Sequence, residues 1–209
     1  MSRENTTASR DAIVPILLAG GAGSRFRDVG HKLAAALPED GKRPGETVFE
    51  RTLASAVAAG IGRVIVVTGR LDAHDLGIVD RIDIDVADNP DWAGGQMTSV
   101  HAGISAASSV GAEIVVIGLA DQPGIESSSW RAVAEAARSG ARIAVATYDG
   151  KRANPVALHH DIWDLLATTG DEGARGLMRL RPDLVVEVPC TGSPKDVDTV
   201  EDLKRWQSN

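Results

Sequence analysis

The chain has 209 residues, a formal net charge of −7, 43% hydrophobic residues and a single cysteine. The length and hydrophobic content favour one folded domain, expected over residues 11–209 after a flexible, polar segment 1–10 that lacks the apolar stretch of a signal peptide. The acidic charge argues against nucleic-acid binding, and the apolar runs are too short to cross a membrane. One cysteine excludes a disulfide framework and a thiolate metal cluster, and it fits a reducing, cytoplasmic location.

Segments typical of strands alternate with segments typical of helices along the chain. The predicted strands cover residues 13–18, 63–68, 82–86, 113–119, 143–147 and 184–188, and the predicted helices cover 48–59, 97–107, 128–138, 162–168, 173–180 and 200–207. This alternation predicts an α/β fold with a single doubly wound, mostly parallel sheet and helices on both faces. Because such sheets bind ligands beyond the carboxyl ends of their strands, we expect the site after Leu18, Thr68, Val86 and Leu119.

A glycine-rich loop follows the first predicted strand. Its sequence is Leu18-Ala19-Gly20-Gly21-Ala22-Gly23-Ser24-Arg25-Phe26, and Lys32 comes shortly after it. Glycines let successive N–H groups point at one anion, and Arg25 and Lys32 add positive charge for phosphate oxygens. Phe26 stands where a dinucleotide-binding loop needs its third glycine, and Gly30-His31-Lys32-Leu33 lacks the lysine spacing and the hydroxyl of a P-loop. The loop predicts a phosphate site of another type, with an ordinary strand-to-loop turn as the alternative.

A second candidate segment runs from Asn89 to Val100, after the third predicted strand. Asn89-Pro90 favours a turn, Gly94-Gly95 frees the backbone, and Thr98-Ser99 place hydroxyl groups where a helix begins. The free N–H groups of a helix start favour an anion or the polar edge of a base. An ordinary capped helix is the alternative interpretation of each residue taken alone.

Three aspartates are candidates for a metal site. Asp121 follows the most apolar predicted strand, where its carboxylate would face the cleft and hold Mg²⁺ against phosphate oxygens. Asp196 and Asp198 alternate along an extended segment and therefore lie on one side of it. A helix cap for Asp121 and a solvated turn for the other two are the structural alternatives.

Taken together and in this order, these segments resemble the nucleotidyltransferases of the molybdenum cofactor family. The loop is similar to that family's L-A-[AG]-G-x-[SG]-x-R-[MF]-G-x-x-K, with two more residues between Arg25 and Lys32. The later segments are similar to its N-P-x-[WY]-x-x-G-x-x-[ST]-S-[LV], [GA]-D-[QM]-P and D-[IV]-D-T-P-E-D patterns, with Val200 in place of the last proline. The resemblance implies the Rossmann-like fold of nucleotide-diphospho-sugar transferases.

The same resemblance implies roles for individual residues. Catalytic roles fall to Arg25, Lys32 and Asp121, and a Mg²⁺ site to Asp121 and Asp198, with Asp196 as a weaker candidate. The predicted nucleotide-binding residues are Leu18, Ala19, Gly20, Gly21, Gly23, Ser24, Arg25, Lys32, Thr68, Asn89, Gly95 and Ser99.

Two further segments resemble family patterns that receive the second substrate. Arg152-Ala153-Asn154-Pro155-Val156 is similar to [GR]-x-[HN]-P-V, and residues 169–175 are similar to G-D-x-G-A-R. The resemblance therefore implies that the second substrate contacts Asn154, Pro155, Asp171 and Arg175.

The reaction implied is the transfer of CMP from CTP to the phosphate of molybdopterin-bound molybdenum, with release of pyrophosphate. The Asp196-Val197-Asp198-Thr199 ending and the middle segment favour CTP, whereas Ala19-Gly20-Gly21 is commoner in guanylyltransferases, so GTP stays an alternative. The sequence also leaves open a sugar or alcohol phosphate as acceptor, a non-catalytic nucleotide or pterin carrier, and a dinucleotide-dependent oxidoreductase. The implied partners are the nucleoside triphosphate, the molybdenum cofactor and a molybdoenzyme or its chaperone, without nucleic acid or membrane.

Overall fold

The computed structural model describes residues 12–21, 23, 26, 30–38 and 45–206. Within them the strands are β1 (Ile13–Leu18), β2 (Val64–Val67), β3 (Ile84–Ala87), β4 (Ile114–Leu119), β5 (Ile143–Tyr148), β6 (Lys151–His159) and β7 (Val185–Pro189). The α-helices are α1 (Val48–Ala58), α2 (Gln96–Ser109), α3 (Ser127–Arg138), α4 (Arg175–Leu180) and α5 (Val200–Arg205). Short 3-10 helices cover Lys32–Ala34, Trp92–Gly94, His160–Leu165 and Pro182–Leu184. The predicted flexible segment 1–10 lies outside the described residues.

The strands form one sheet in the order β3-β2-β1-β4-β6-β5-β7. All neighbouring strands run parallel except that β6 is antiparallel to both β4 and β5. The prediction of a mostly parallel α/β sheet is confirmed. The chain moves outward from β1 to β2 and β3 and then returns to place β4 on the other side of β1. Ligands of open α/β sheets bind at such a reversal, so the crevice between β1 and β4 is the expected site.

Both faces of the sheet are buried by helices. Along β1, Ile13 and Leu17 belong to the core that α1 and α3 cover, whereas Ile16 and Leu18 belong to the core that α2 and α4 cover. Every residue of β1 is buried. A strand covered on both faces needs apolar side chains at every position, which explains its continuous apolar sequence.

β6 is missing from the strands predicted by sequence. It pairs with β5 as a hairpin whose turn is Asp149-Gly150, with φ angles of 50° and 74°. An Asp-Gly pair with two positive φ angles is typical of a tight hairpin turn, and it is the signal that indicates β6. The pairing of β5 with β6 shifts register at Asn154-Pro155, which bulge out of the ladder. A proline has no N–H to give the ladder, so a strand with an internal proline resembles a loop in sequence.

The helices differ from prediction mainly near the carboxyl-terminal end of the chain. In place of helix 162–168 the chain forms the 3-10 helix His160–Leu165, because Leu166 turns into an extended conformation and buries its side chain. Helix 173–180 begins only at Arg175, since the residues before it form a loop against α2. No α-helix among the described residues is both long enough and apolar enough to cross a membrane.

Candidate active site

A cleft with two adjoining chambers opens at the carboxyl ends of β1 and β4. The first, here named the glycine chamber, has a volume of about 490 Å³ and is lined by residues that include Ala19, Gly20, Gly21, Lys32, Gly95 and Asp121. The second, named the arginine chamber, has a volume of about 300 Å³ and is lined by residues that include Arg152, Asn154, Arg175 and Arg179. Gln96, the first residue of α2, lines both chambers. The two chambers therefore share a wall at Gln96.

Lys32 lies in the glycine chamber between two of the predicted metal ligands. Its Nζ atom donates to Asp121 Oδ2 at 2.5 Å and to Asp198 Oδ1 at 2.7 Å. Burial alone lowers the pKa of Lys32, but the charges and hydrogen bonds of the two carboxylates outweigh it, so the pKa lies above its usual value. Lys32 is therefore a cation at neutral pH. The two extra residues between Arg25 and Lys32 leave Lys32 within reach of the cleft.

Asp121 follows β4, and its carboxylate is only half satisfied by the chain. The Oδ2 atom binds Lys32, whereas the buried Oδ1 atom has no hydrogen-bond partner among the described residues. A buried polar atom without a partner costs free energy unless a ligand supplies one. Asp198 and Asp196 add further carboxylate oxygens nearby, and oxygen ligands of this kind suit Mg²⁺. The donor type suits a divalent cation, but Lys32 Nζ lies between Asp121 and Asp198, and the three aspartates are not among the described groups whose ligand atoms all lie within 4.8 Å of one another.

Gln122 and Asn154 connect the aspartates to the arginine chamber. Gln122 is 4% exposed, and its Nε2 atom donates to Asp196 Oδ1 at 2.6 Å and to the carbonyl oxygen of Pro194 at 3.0 Å. Its Oε1 atom accepts a hydrogen bond from Asn154 Nδ2 at 3.1 Å. The pKa of Asp196 is raised, first by loss of solvent around its carboxyl group and then by the negative charge of Asp121. Gln122 is absent from the site residues predicted by sequence, although its place directly after Asp121 is a signal for it.

The predicted nucleotide-binding residues after β2 and β3 divide into two groups. Gly95 and Ser99 line the glycine chamber. Asn89 and Thr68 are 3% and 1% exposed and lie behind it. Asn89 Nδ2 donates to Ser99 Oγ at 2.9 Å, and Thr68 Oγ1 donates to Asp88 Oδ1 at 2.9 Å. The geometry therefore gives Asn89 and Thr68 a supporting position beneath the chamber.

The glycine loop is described in part. Residues 18–21 line the glycine chamber, as the sequence predicts for a nucleotide site. Gly23 is half-buried, and the ring of His31 packs so closely on it that there is no space for a side chain. The predicted residues Ser24 and Arg25 lie outside the described residues.

The arginine chamber has an apolar floor and a cationic rim. The floor is formed by Val100, Ile117, Val145, Val156, Leu158 and Met178. Arg152 donates to Glu187 at 2.7 Å and Arg179 to Glu172 at 2.6 Å, whereas Arg175 forms no salt bridge within the described residues. An apolar floor with an available guanidinium suits a flat ligand that carries an anionic group. Of the four predicted second-substrate residues, Asn154 and Arg175 line this chamber.

The remaining two predicted second-substrate residues lie elsewhere. Pro155 sits in the bulge of β6. Asp171 lines the glycine chamber, and its Oδ1 atom accepts the N–H of Gln96 at 3.0 Å. The carbonyl oxygen of Gly170 accepts the N–H of Met97 at 2.9 Å. The first N–H groups of α2 are therefore occupied by the chain itself, which corrects the expectation that they are free to bind an anion, because Asp171 is already the anion at that helix start.

Comparison with known proteins places this fold and site in a family. The model of the MobA-like NTP transferase domain matches residues 15–187 of the chain. Nicotine blue oxidoreductase from Paenarthrobacter nicotinovorans is 30% identical over 207 residues, which cover 92% of this chain and 95% of that protein. The family match thus extends over both chambers.

Solved structures share the fold at lower identity. A nucleotidyl transferase from Methanothermobacter thermautotroptrophicus superposes with a TM-score of 0.75 at 23% identity, covering 93% of this chain and 95% of that chain. Rv0371c of Mycobacterium tuberculosis in complex with manganese superposes with a TM-score of 0.68 at 23% identity, covering 93% and 97%. These likenesses confirm the predicted fold. The chain belongs to the MobA-like NTP transferase family and is a nucleotidyltransferase.

Proposed function

We propose that this protein transfers CMP from CTP to the phosphate of molybdopterin-bound molybdenum and releases pyrophosphate, with Mg²⁺ as the metal. The observation that carries the proposal is Lys32 held between Asp121 and Asp198, in a glycine-lined chamber that adjoins an apolar chamber with an arginine rim. The proposed reaction takes place in the cytoplasm, and a molybdoenzyme or its chaperone receives the product.

The choice of CTP rests on the resemblance of individual motifs. The Asp196-Val197-Asp198-Thr199 ending and the segment from Asn89 to Val100 favour the cytidylyl branch of the family. Ala19-Gly20-Gly21 has the form commoner in the guanylyl branch, which makes GTP the competing nucleotide. Two motifs outweigh one, so CTP is proposed.

Asp121 and Asp198 are the residues proposed to hold the metal, with Asp196 nearby. The support is the unpartnered, buried Oδ1 atom of Asp121 and the preference of Mg²⁺ for a few carboxylate oxygens together with substrate phosphates. Rv0371c, whose structure is a complex with manganese, has the same fold. When bound, the metal would neutralise phosphate charge and polarise the phosphoryl group.

The chain's own residues provide positioning and charge. Lys32 stays protonated, so it supports the negative charge of the triphosphate and of the departing pyrophosphate. The backbone of residues 18–21 borders the space in which the phosphates would lie. The acceptor phosphate attacks the α-phosphorus in line with pyrophosphate, so that one P–O bond forms as another breaks. The acceptor is already ionised near neutral pH, so no general base is needed, and positioning supplies most of the catalysis.

The arginine chamber is proposed to bind the acceptor. Its apolar floor suits the flat pterin, and Arg175 at its rim suits the phosphate because a guanidinium binds phosphate oxygens in pairs. Gln96 lines both chambers, so the acceptor phosphate lies next to the nucleotide.

Calorimetric titration with CTP, GTP, ATP and UTP, each with and without Mg²⁺, is the first test. Selective, Mg²⁺-dependent binding of CTP followed by pyrophosphate release on addition of molybdenum-loaded molybdopterin would support the proposal. A preference for GTP would replace CTP by GTP. Absence of triphosphate binding, with or without the acceptor present, would refute a transferase of this kind.

The Asp121→Asn variant separates an enzyme from a non-catalytic carrier. An enzyme loses far more turnover than nucleotide affinity in this variant, because the amide keeps the shape of the side chain but not the charge that supports phosphoryl transfer. A carrier shows no pyrophosphate release in either form. Asp164→Asn, at an exposed position away from both chambers, is the matched control.

An oxidoreductase is the second candidate, because a 30% identical relative carries that name. The loop at 20–26 lacks the third glycine of a dinucleotide fingerprint, which argues against NAD or NADP at this position. Titration with NADH and NADPH beside the triphosphates decides between the two. Tight dinucleotide binding without triphosphate binding would favour the oxidoreductase.

A further inference from the structure

His31 has no role in the sequence motifs, yet it stands directly before Lys32 in the stretch that is two residues longer than the family pattern. Its Nε2 atom lies 3.0 Å from the carbonyl oxygen of Gly21. A carbonyl oxygen only accepts, so Nε2 carries the proton and donates. Its Nδ1 atom accepts the N–H of Leu33 at 3.3 Å, and this bond caps the 3-10 helix Lys32–Ala34.

The ring of His31 also fills the space beside Gly23. A Cβ atom built on Gly23 would lie 2.6 Å from both Cδ2 and Nε2 of the ring, and Gly23 has a φ of 58° that favours glycine. The imidazole is therefore in contact with the glycine loop at Gly21 and Gly23 on one side and with the Lys32 segment on the other. Only a neutral ring can accept from Leu33 while it donates to Gly21.

We infer that His31 is a positioning residue that ties the glycine loop to the Lys32 segment and thereby fixes Lys32 relative to the phosphate site. The inference rests on the proposed nucleotide site for its functional consequence, but the tie itself is a property of the protein alone. The hydrogen bond to Gly21 and the close contact with Gly23 link the two segments directly.

Two conservative variants distinguish the hydrogen bond from His31 to Gly21 from the hydrogen bond with Leu33, which only caps the 3-10 helix. The amide of Gln in His31→Gln reaches the place of Nε2 and can donate to Gly21, but it is poorly placed to cap Leu33. The shorter amide of Asn in His31→Asn caps Leu33 well and does not reach Gly21. His31→Ala removes both bonds, and His74→Ala, at an exposed position, is the control.

Backbone ¹⁵N relaxation of Gly21 and Gly23 measures, without any ligand, how strongly His31 restricts the motion of the glycine loop. We expect order parameters of about 0.85 in the wild type, His31→Gln and His74→Ala, and below about 0.6 in His31→Ala and His31→Asn. Order parameters that are unchanged in His31→Ala, or that are restored by Asn and not by Gln, would overturn the inference. Thermal unfolding of each variant confirms that the comparison is made between folded proteins.

Titration with Mg²⁺–CTP measures how each variant changes the affinity for the nucleotide. We expect affinity to fall roughly ten- to a hundredfold in His31→Ala and His31→Asn and to recover in His31→Gln, because small misplacements of phosphate-binding groups are costly. Equal affinity for Mg²⁺–CTP in all variants would show that His31 does not position Lys32 for nucleotide binding. Failure of the wild type to bind any triphosphate would refute the proposed function, whereas the relaxation measurement still decides whether His31 ties the loop.

Discussion

The two chambers of the cleft are built in different ways. The glycine chamber is bounded by the backbone of residues 18–21, and its lysine, Lys32, is paired with Asp121 in the chamber lining and with Asp198. The arginine chamber is assembled from side chains of β4, β5, β6, α2 and α4, and its charged groups stand at an exposed rim.

Under the proposed function, the two chambers have different tasks. The backbone of residues 18–21 and the pairing of Lys32 with Asp121 would contact the triphosphate, a group that all nucleoside triphosphates share. The side chains at the exposed rim of the arginine chamber would contact the acceptor. Variants in each chamber test whether the two can be perturbed separately.

Loss of the Asp121 charge is expected to have the largest effect. Asp121→Asn should lower the turnover number about 100- to 1000-fold, because fixed charge at a phosphoryl-transfer site acts in a low-dielectric environment. Asp198→Asn should cost less, since the side chain of Asp198 is 37% exposed and that of Asp121 only 16%. Pyrophosphate release at saturating CTP measures both. A larger loss of turnover in Asp198→Asn than in Asp121→Asn would make Asp198 the main metal ligand.

Removal of the arginine rim should affect the acceptor alone. Arg175→Ala is expected to raise the KM for the acceptor roughly ten- to a hundredfold, the value of one or two charge-assisted hydrogen bonds. The affinity for CTP should stay unchanged, because Arg175 lines only the arginine chamber. Steady-state kinetics with varied acceptor measures the change, with Arg138→Ala as the surface control. A weaker affinity for CTP in Arg175→Ala would show that the chambers are not separable.

Crowding of the glycine chamber should weaken the binding of CTP and leave the KM for the acceptor unchanged, the reverse of what is expected for Arg175→Ala. A Cβ atom on Gly20 would lie 2.9 Å from Ser99 Oγ and 3.3 Å from the carbonyl oxygen of Thr68, so in Gly20→Ala either the Ser99 side chain or the loop must shift. The affinity for CTP should fall about tenfold, in line with an overpacking cost of roughly 1–3 kcal/mol. The KM for the acceptor should not change. Calorimetry with CTP tests the variant, and an unchanged affinity would mean that the loop does not touch the nucleotide.

Asp171 lines the glycine chamber and caps Gln96, the residue that both chambers share, and its loss should have the smallest effect. Asp171→Ala removes the carboxylate that caps the N–H of Gln96, which should lower the free energy of unfolding by about 1 kcal/mol. Urea unfolding measures the change, with Asp80→Ala as an exposed control. Unchanged stability would mean that the cap is replaced by solvent.

Much of the fold follows from local sequence. The apolar sequences within the predicted strands 13–18 and 113–119 place β1 and β4 to within one residue, because strands buried on both faces need apolar side chains throughout. β6 escapes prediction, since its polar start and the bulge at Asn154-Pro155 break the strand pattern.

The candidate site is predictable only in part, for a related reason. Asp121 and residues 18–21 lie at strand ends, and strand ends can be located from the apolar runs that precede them. Asn89 and Thr68 also follow strands, but their burial behind the glycine chamber depends on hydrogen bonds to Ser99 and Asp88. The contacts of Gln122 and His31 likewise come from the fold, although the place of Gln122 directly after Asp121 is a signal for it in the sequence.

The order of strands and helices, the glycine loop and the family can all be recognised in the sequence, because each depends on residues that are neighbours along the chain. The bridge from Lys32 to Asp121 and Asp198, which are 89 and 166 positions away from it, and the capping of α2 by Asp171 emerge only when the chain is folded. Periodicity encodes which face of an element is buried. Periodicity does not encode which distant side chain contacts that face, since this contact depends on how the whole sheet and its helices pack.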